Sequence, residues 1–246
     1  LRNERLKEVA RGVDTYWLSE PLRTGFVQKH NVYADGGEEK IRYGLGLTYG
    51  NTEGVMKESS RQTLSGNLDL IYRTGKFQFS NKLTIDYLET SDPVVSFSEY
   101  ALANPYYRKY NADGGVDKYL YVPENDDEAP VPNPLWNANL NSRALDRSFG
   151  VTNNFSAEYN PLTSLKIRGR FGITKTINES DDFLSPEDTS FDDTEELKKG
   201  SLAYQNGKNL QYEGELKWNE NGDYSGVFIC SGILIPICRY VDLLAD

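Results

Sequence analysis

The sequence predicts an all-β chain: an antiparallel meander of about seven strands, a partial arc of a transmembrane β-barrel. Three observations carry that prediction. Apolar residues recur at every second position in run after run, connections alternate between tight turns and long polar segments, and aromatic residues collect at the ends of the apolar faces. A two-residue period puts successive side chains on opposite faces of a strand. Short turns at one end and long loops at the other are how a membrane barrel is connected, with aromatic girdles at both interfaces.

Residues 1–24 read as a helical or irregular lead-in, broken at Gly12-Val13-Asp14 and anchored by Trp17-Leu18. A weak first strand runs from Phe26 to Ala34. The second is clear: Ile41, Tyr43, Leu45, Leu47 and Tyr49 alternate with Arg42, Gly44, Gly46 and Thr48. The same period places Leu64, Leu68, Leu70 and Tyr72 on one face of a third strand. Phe77, Phe79, Leu83, Ile85 and Tyr87 share a face of the fourth, and Phe149, Val151, Phe155, Ala157 and Tyr159 a face of the fifth. Leu165, Ile167, Phe171 and Ile173, then Leu210, Tyr212, Leu216 and Trp218, complete the set. Tight connections are expected at residues 35–39, 73–76 and 160–164, and longer ones at 51–61, 89–147 and 178–200. Antiparallel strands in series force every second connection to the same end, so the long ones should emerge together.

Composition narrows the function. The 246 residues carry a formal net charge of -10, which argues against nucleic acid, since phosphate binding needs clustered Lys and Arg. The mean hydropathy of -0.62 is compatible with a barrel, where every second strand residue faces lipid and the loops are polar. A membrane-spanning helix needs roughly 20 consecutive apolar residues, and no such run exists. The longest apolar stretch, Val227 to Cys238, is interrupted by Ser231, Gly232 and Pro236. Both cysteines, Cys230 and Cys238, lie in it, so no disulfide framework or cysteine-based zinc site is expected before it. The opening Leu1-Arg2-Asn3-Glu4-Arg5 is charged and is no secretory signal, which puts the N-terminus of an exported protein upstream of it.

Several runs resemble SusC/RagA-type TonB-dependent transporters of the outer membrane. They are Gly12-Val13-Asp14-Thr15-Tyr16-Trp17-Leu18, Arg23-Thr24-Gly25-Phe26-Val27-Gln28-Lys29-His30-Asn31, Gly36-Gly37-Glu38-Glu39-Lys40-Ile41-Arg42-Tyr43 and Tyr49-Gly50-Asn51-Thr52-Glu53-Gly54-Val55. Ala103-Asn104-Pro105-Tyr106-Tyr107-Arg108-Lys109-Tyr110-Asn111-Ala112-Asp113-Gly114 is similar to that family's long-loop motif. The resemblance implies a plugged barrel of about 22 strands, importing oligosaccharides or peptides. It implies energy from TonB through a plug absent from these residues, a SusD-like surface lipoprotein as partner, membrane lipid around the wall, and no cofactor. Residues 25–226 are then a partial barrel, and the fragment alone is expected to be inactive. Residues 227–246 lose the alternation and read as an atypical tail, a frameshift or truncation product. The alternative is a soluble all-β carbohydrate-binding module, because a sandwich shows the same two-residue period.

Catalytic and metal sites are not expected. A single His30 cannot build a histidine cluster, and no carboxylate pair has the spacing of a glycosidase site. Asn111 to Asp117 resembles the start of a calcium loop, but Val122 stands where the closing Glu should be. The acidic stretch 180–196 reads as a solvated loop. Gly44, Gly46, Gly150 and Gly172 fall on the presumed lumen face, where they serve either strand curvature or close approach by a plug or loop. The aromatic-rich loop from Tyr100 to Tyr121 is the best substrate candidate, because aromatic faces stack on sugar rings and Tyr hydroxyls reach polar partners. Tyr106, Tyr107, Tyr110 and Trp136 are the residues singled out, with packing of the loop against itself or a partner as the competing role.

Overall fold

The computed structural model describes residues 2–123, 128–220, 223–232 and 237–241, the last two runs by their backbone. Helix α1 (Arg2–Ala10) and a 3-10 turn (Trp17–Ser19) precede four strands: β1 (Phe26–Gly37), β2 (Ile41–Glu53), β3 (Ser60–Thr74) and β4 (Phe77–Asp92). An excursion follows, holding α2 (Phe97–Leu102), β5 (Tyr119–Tyr121), β6 (Val131–Pro132) and α3 (Pro134–Ala138). The chain then returns through β7 (Arg143–Leu162), β8 (Leu165–Leu184), β9 (Ser201–Glu220), β10 (Asp223–Gly232) and β11 (Ile237–Val241).

Nine of these strands form one antiparallel sheet in the order β1-β2-β3-β4-β7-β8-β9-β10-β11, and β5 pairs with β6 apart from it. Each strand of the large sheet lies beside its sequence neighbour, and β11 does not return to β1, so the sheet is an open arc. The seven expected strands are all present. Beyond them, Asp223–Gly232 pairs with β9 and Ile237–Val241 pairs with β10, although that stretch lacks alternation. Backbone groups at a sheet edge accept a partner whatever its side-chain pattern.

Two tight turns show why the hairpins close where they do. Gly75 sits at φ 55, the left-handed region a two-residue hairpin demands, between Thr74 and Lys76. Gly37 sits at φ 132, where a Cβ would run into the Ile41 carbonyl oxygen. Several strands overrun their predicted ends: β4 continues to Asp92, β7 begins at Arg143 and β8 reaches Leu184, while β9 begins at Ser201, where the expected connection stops. Most outer-end positions there are polar on both faces, as in Thr90, Ser91 and Asp92, so the apolar period fades where the backbone ladder continues.

The small buried core lies off the sheet. Trp17 is 3% exposed and packs with Val95, Tyr100 and Tyr107. Its indole donates to the Asn104 carbonyl at 3.1 Å, and the Thr15 N–H donates to the Pro105 carbonyl at 2.8 Å. The lead-in is therefore fastened to the excursion between β4 and β7, at the end where the long connections emerge.

Candidate functional site

The sheet has two chemically opposite faces. Directly paired residues share a face in an antiparallel ladder, so registers can be read across the wall. One row runs Ala34, Leu45, Leu68, Leu83, Asn153, Ile173 and Tyr212. The row nearer the loops runs Val32, Leu47, Gly66, Ile85, Val151, Lys175 and Leu210. These apolar side chains stand open, with Leu45 at 47% and Leu47 at 51% exposure, while Gly44 and Gly46 are buried on the other face. The predicted split of Ile41 to Tyr49 into two faces is what the structure has.

Aromatic rings bound the apolar belt. Phe77 stacks on Tyr159 at 4.4 Å beside the tight turns, with Trp218 in the same row. Tyr49, Tyr87 and Phe149 mark the other margin, where His30 stacks on Tyr49 at 6.5 Å. Beyond that margin the face turns polar, through Asn51, Gln62, Glu89 and Arg147. From Phe77 to Tyr87 is about 33 Å along the strand at ~3.3 Å per residue, and a tilt of about 45° reduces its height to about 23 Å. That matches the ~25 Å apolar band of an outer-membrane barrel.

The opposite face is laced with charge. Glu158 receives Lys166 at 2.9 Å and Arg168 at 2.5 Å, Lys217 meets Glu215 at 3.0 Å, and Arg170 lies 3.7 Å from Glu213. Ser65 donates to Asp86 at 2.5 Å, and Ser80 bonds Ser156 at 2.6 Å. Such a surface suits a water-filled interior.

Above the sheet the loops form a cap. The Trp136 indole donates to the Glu187 carbonyl at 3.2 Å, and Asn137 bonds Thr189 in both directions, at 2.8 and 3.2 Å. Lys118 and Tyr119 both bind the Asp192 carboxylate. The two long loops thus meet at one end of the wall, as the meander requires. Burial works against the Asp192 charge, but the bonds from Lys118 and Tyr119 prevail and hold its carboxyl below the usual range. The bond to Asp192, then burial, pushes the Tyr119 hydroxyl up to about 12.

A cleft of about 220 Å³ opens between α1 and the excursion, with Tyr107, Tyr110, Tyr119, Tyr121 and Arg108 in its walls. Of the predicted contact residues, Tyr107 and Tyr110 come together here. Tyr107 is 5% exposed and stacks on Tyr121 at 6.4 Å, so one face of its ring serves the loop core. Tyr110 is half exposed. Tyr106, 40% exposed, does not line the cleft, and Trp136 ties the loops together. Sequence reading missed Glu8, which reaches the same cleft from α1 and pairs with Arg108 at 2.7 Å; nothing local in the lead-in signals it.

The Asn111 loop closes on itself. The Asn111 Oδ1 accepts from the N–H groups of Asp113 and Gly115 at 3.1 and 2.8 Å, and its Nδ2 donates to Asp117 at 2.9 Å. Among the described residues no cluster of His, Cys, Asp or Glu is placed to hold a metal, and no helix is long and apolar enough to cross a membrane.

No family model matches the chain. It is 23% identical over 211 residues to the TonB-dependent receptor P26 of Formosa agariphila, covering 82% of this chain and 21% of that relative. The RagAB peptide transporter superposes with a TM-score of 0.67 at 14% identity, over 93% of this chain and 30% of that one. The fold is that of part of this transporter. The RagAB peptide importer in its closed-closed state gives a TM-score of 0.58, with the same identity and coverage. The chain spans about a fifth of the curated relative and less than a third of the solved one. In the described sheet β1 and β11 are the two open edges of the arc.

Proposed function

We propose that the chain is a wall segment of an outer-membrane, TonB-dependent transporter that imports an oligosaccharide or peptide and works with a SusD-like surface lipoprotein. The observation that carries this reading is the open apolar belt, of the height an outer-membrane band requires, backed by a charged face and capped at one end. A soluble carbohydrate-binding sandwich would cover that belt with a second sheet, and no described element lies over it. Transport of this kind involves no bond-making by the chain itself. Force would enter through a plug gripped by TonB, and the wall contributes the conduit and its mouth. Substrate contact falls first to Tyr110 at the cleft, with Tyr107 as its supporting wall and Tyr106 on the adjoining surface. Trp136 holds the two loops in place.

The test is nutrient uptake by cells carrying the full-length transporter. Removing it, or a SusD-like lipoprotein that co-purifies with it, should abolish growth on the imported oligosaccharide or peptide. Recovery of the transporter from the soluble fraction, monodisperse without detergent, would sink the reading.

A further inference from the structure

Lysine and arginine are distributed unevenly on the apolar face. Strands β1 to β9 place four such side chains there, by register: Arg143 and Arg147 on β7, Lys175 on β8 and Lys208 on β9. All four lie on three adjacent strands, toward the loop end. The two arginines are neutralised on the same face, Arg143 by Asp181 at 3.0 Å and Arg147 by Glu89 at 2.8 Å. Among the described residues Lys175 and Lys208 have no ion pair. Lys175 pairs with Leu210 and Lys208 with Ile177, which makes the lysines diagonal neighbours, about 7–8 Å apart at the backbone. Val151 lies across from Lys175 on β7, and Phe149 across from Ile177. The nearest acid on this face, Glu179, stands one row further out and accepts from Asn206 at 3.1 Å.

A lone lysine beside apolar surface needs no ligand, because its stem lies along the wall and its ammonium reaches for water. Two of them side by side, neither in an ion pair and with Glu179 diagonal to Lys208 alone, repel each other at the low-dielectric margin of the belt. An anion between them removes that repulsion. Resting on the membrane reading above, we infer that Lys175 and Lys208 bind the phosphate of an anionic lipid of the outer leaflet. Its acyl chains would lie over Val151, Ile173 and Leu210. The recognised chemistry is a phosphomonoester or phosphodiester joined to hydrocarbon: the ammonium groups take the phosphate oxygens and the belt takes the chains. Either interaction alone is weak, and a single basic residue near a membrane contributes only modestly.

The experiment uses the full-length transporter, purified from outer membranes in non-ionic detergent. Lipid retention is read by native mass spectrometry, with monophosphorylated lipid A against a neutral glycolipid of matched chains. Wild type should keep the phosphorylated lipid preferentially, and inorganic phosphate at millimolar concentration should not displace it. Lys175→Gln with Lys208→Gln should lower the preference roughly 10- to 30-fold, whereas Lys175→Arg with Lys208→Arg should preserve it. Equal retention of both lipids by wild type, an unchanged preference in the glutamine variant, or displacement by inorganic phosphate overturns the lipid site. Membrane fractionation of the same variants separates the two readings. An inserted barrel without lipid preference overturns the site alone, and a soluble transporter overturns both.

Discussion

At the residue scale, the belt is informative where it is not apolar. Asn81 and Asn153 interrupt it from adjacent strands and exchange side-chain hydrogen bonds, Asn81 Nδ2 donating to Asn153 Oδ1 at 3.0 Å and Asn153 Nδ2 to Asn81 Oδ1 at 3.1 Å. Against lipid each amide depends on the other, since losing one partner strands a polar group, at a cost of about 1–3 kcal/mol. Asn81→Leu in the full-length transporter should therefore destabilise it by about that amount, and Asn81→Leu with Asn153→Leu by less than either single change. Denaturant unfolding of the four proteins measures the cycle; additive losses would mean the pair is not coupled. Leu45 lies midway across the belt, and Leu45→Arg should cost roughly 2–4 kcal/mol by the same assay. A loss below about 1 kcal/mol would place it near an interface or inside the lumen.

At the element scale, the loop junction at Asp192 is expected to loosen in acid. The folded carboxyl of Asp192 titrates below its unfolded counterpart, so its contribution is fully present above the ordinary aspartate value of about 3.9 and is lost as pH falls through the lowered one. For Tyr119 the sign reverses. Its hydroxyl, raised to about 12, keeps its contribution below the ordinary value and loses it as pH climbs through the raised one. Limited proteolysis across the pH range should find the 185–200 loop protected at neutral pH and cut faster below about pH 4. Asp192→Asn should be cut at neutral pH as well, with little further change on acidification. An acid response undiminished in that variant would assign it to other groups.

How far the elements were legible follows from the same physics. Where one face is apolar and the other polar, as from Ile41 to Tyr49, the period gives the strand and its faces directly. Where both faces meet water, as from Arg143 to Ser148, the strand leaves little trace and its end was misjudged. The cap was half legible. Tyr107 and Tyr110 were marked by their own chemistry, but the burial of Trp17 against Tyr100 and Tyr107 joins residues some 80 to 90 positions apart, which no local pattern records. The partners of Asp192 were hidden for the same reason, because the acidic stretch looked merely solvated until Lys118 and Tyr119 were brought to it.

At the scale of the whole molecule, an arc is not a barrel. The outer edges of β1 and β11 carry unpaired backbone groups, each costing several kcal/mol in hydrocarbon. A polypeptide of these 246 residues alone should give no TonB-dependent uptake in liposomes, and should aggregate through those edges or close into a smaller ring. Saturable, energised uptake by it would show that the wall carries its own engine.

The strand order has a further consequence, for how damage spreads. Every inner strand of the wall pairs with the wall strand before it and the one after it, and the two end strands with one neighbour each. Such a structure is nearly one-dimensional, like a stack of repeats in which each unit feels its neighbours alone. A change of sequence beyond Glu220 alters the partner offered to β9, yet leaves the registers from β1 to β8 without a reason to move. The loop cap, built from residues before Gly200, is insulated in the same way. A sequence altered late would thus lay down a faithful early wall and fail only where closure is made.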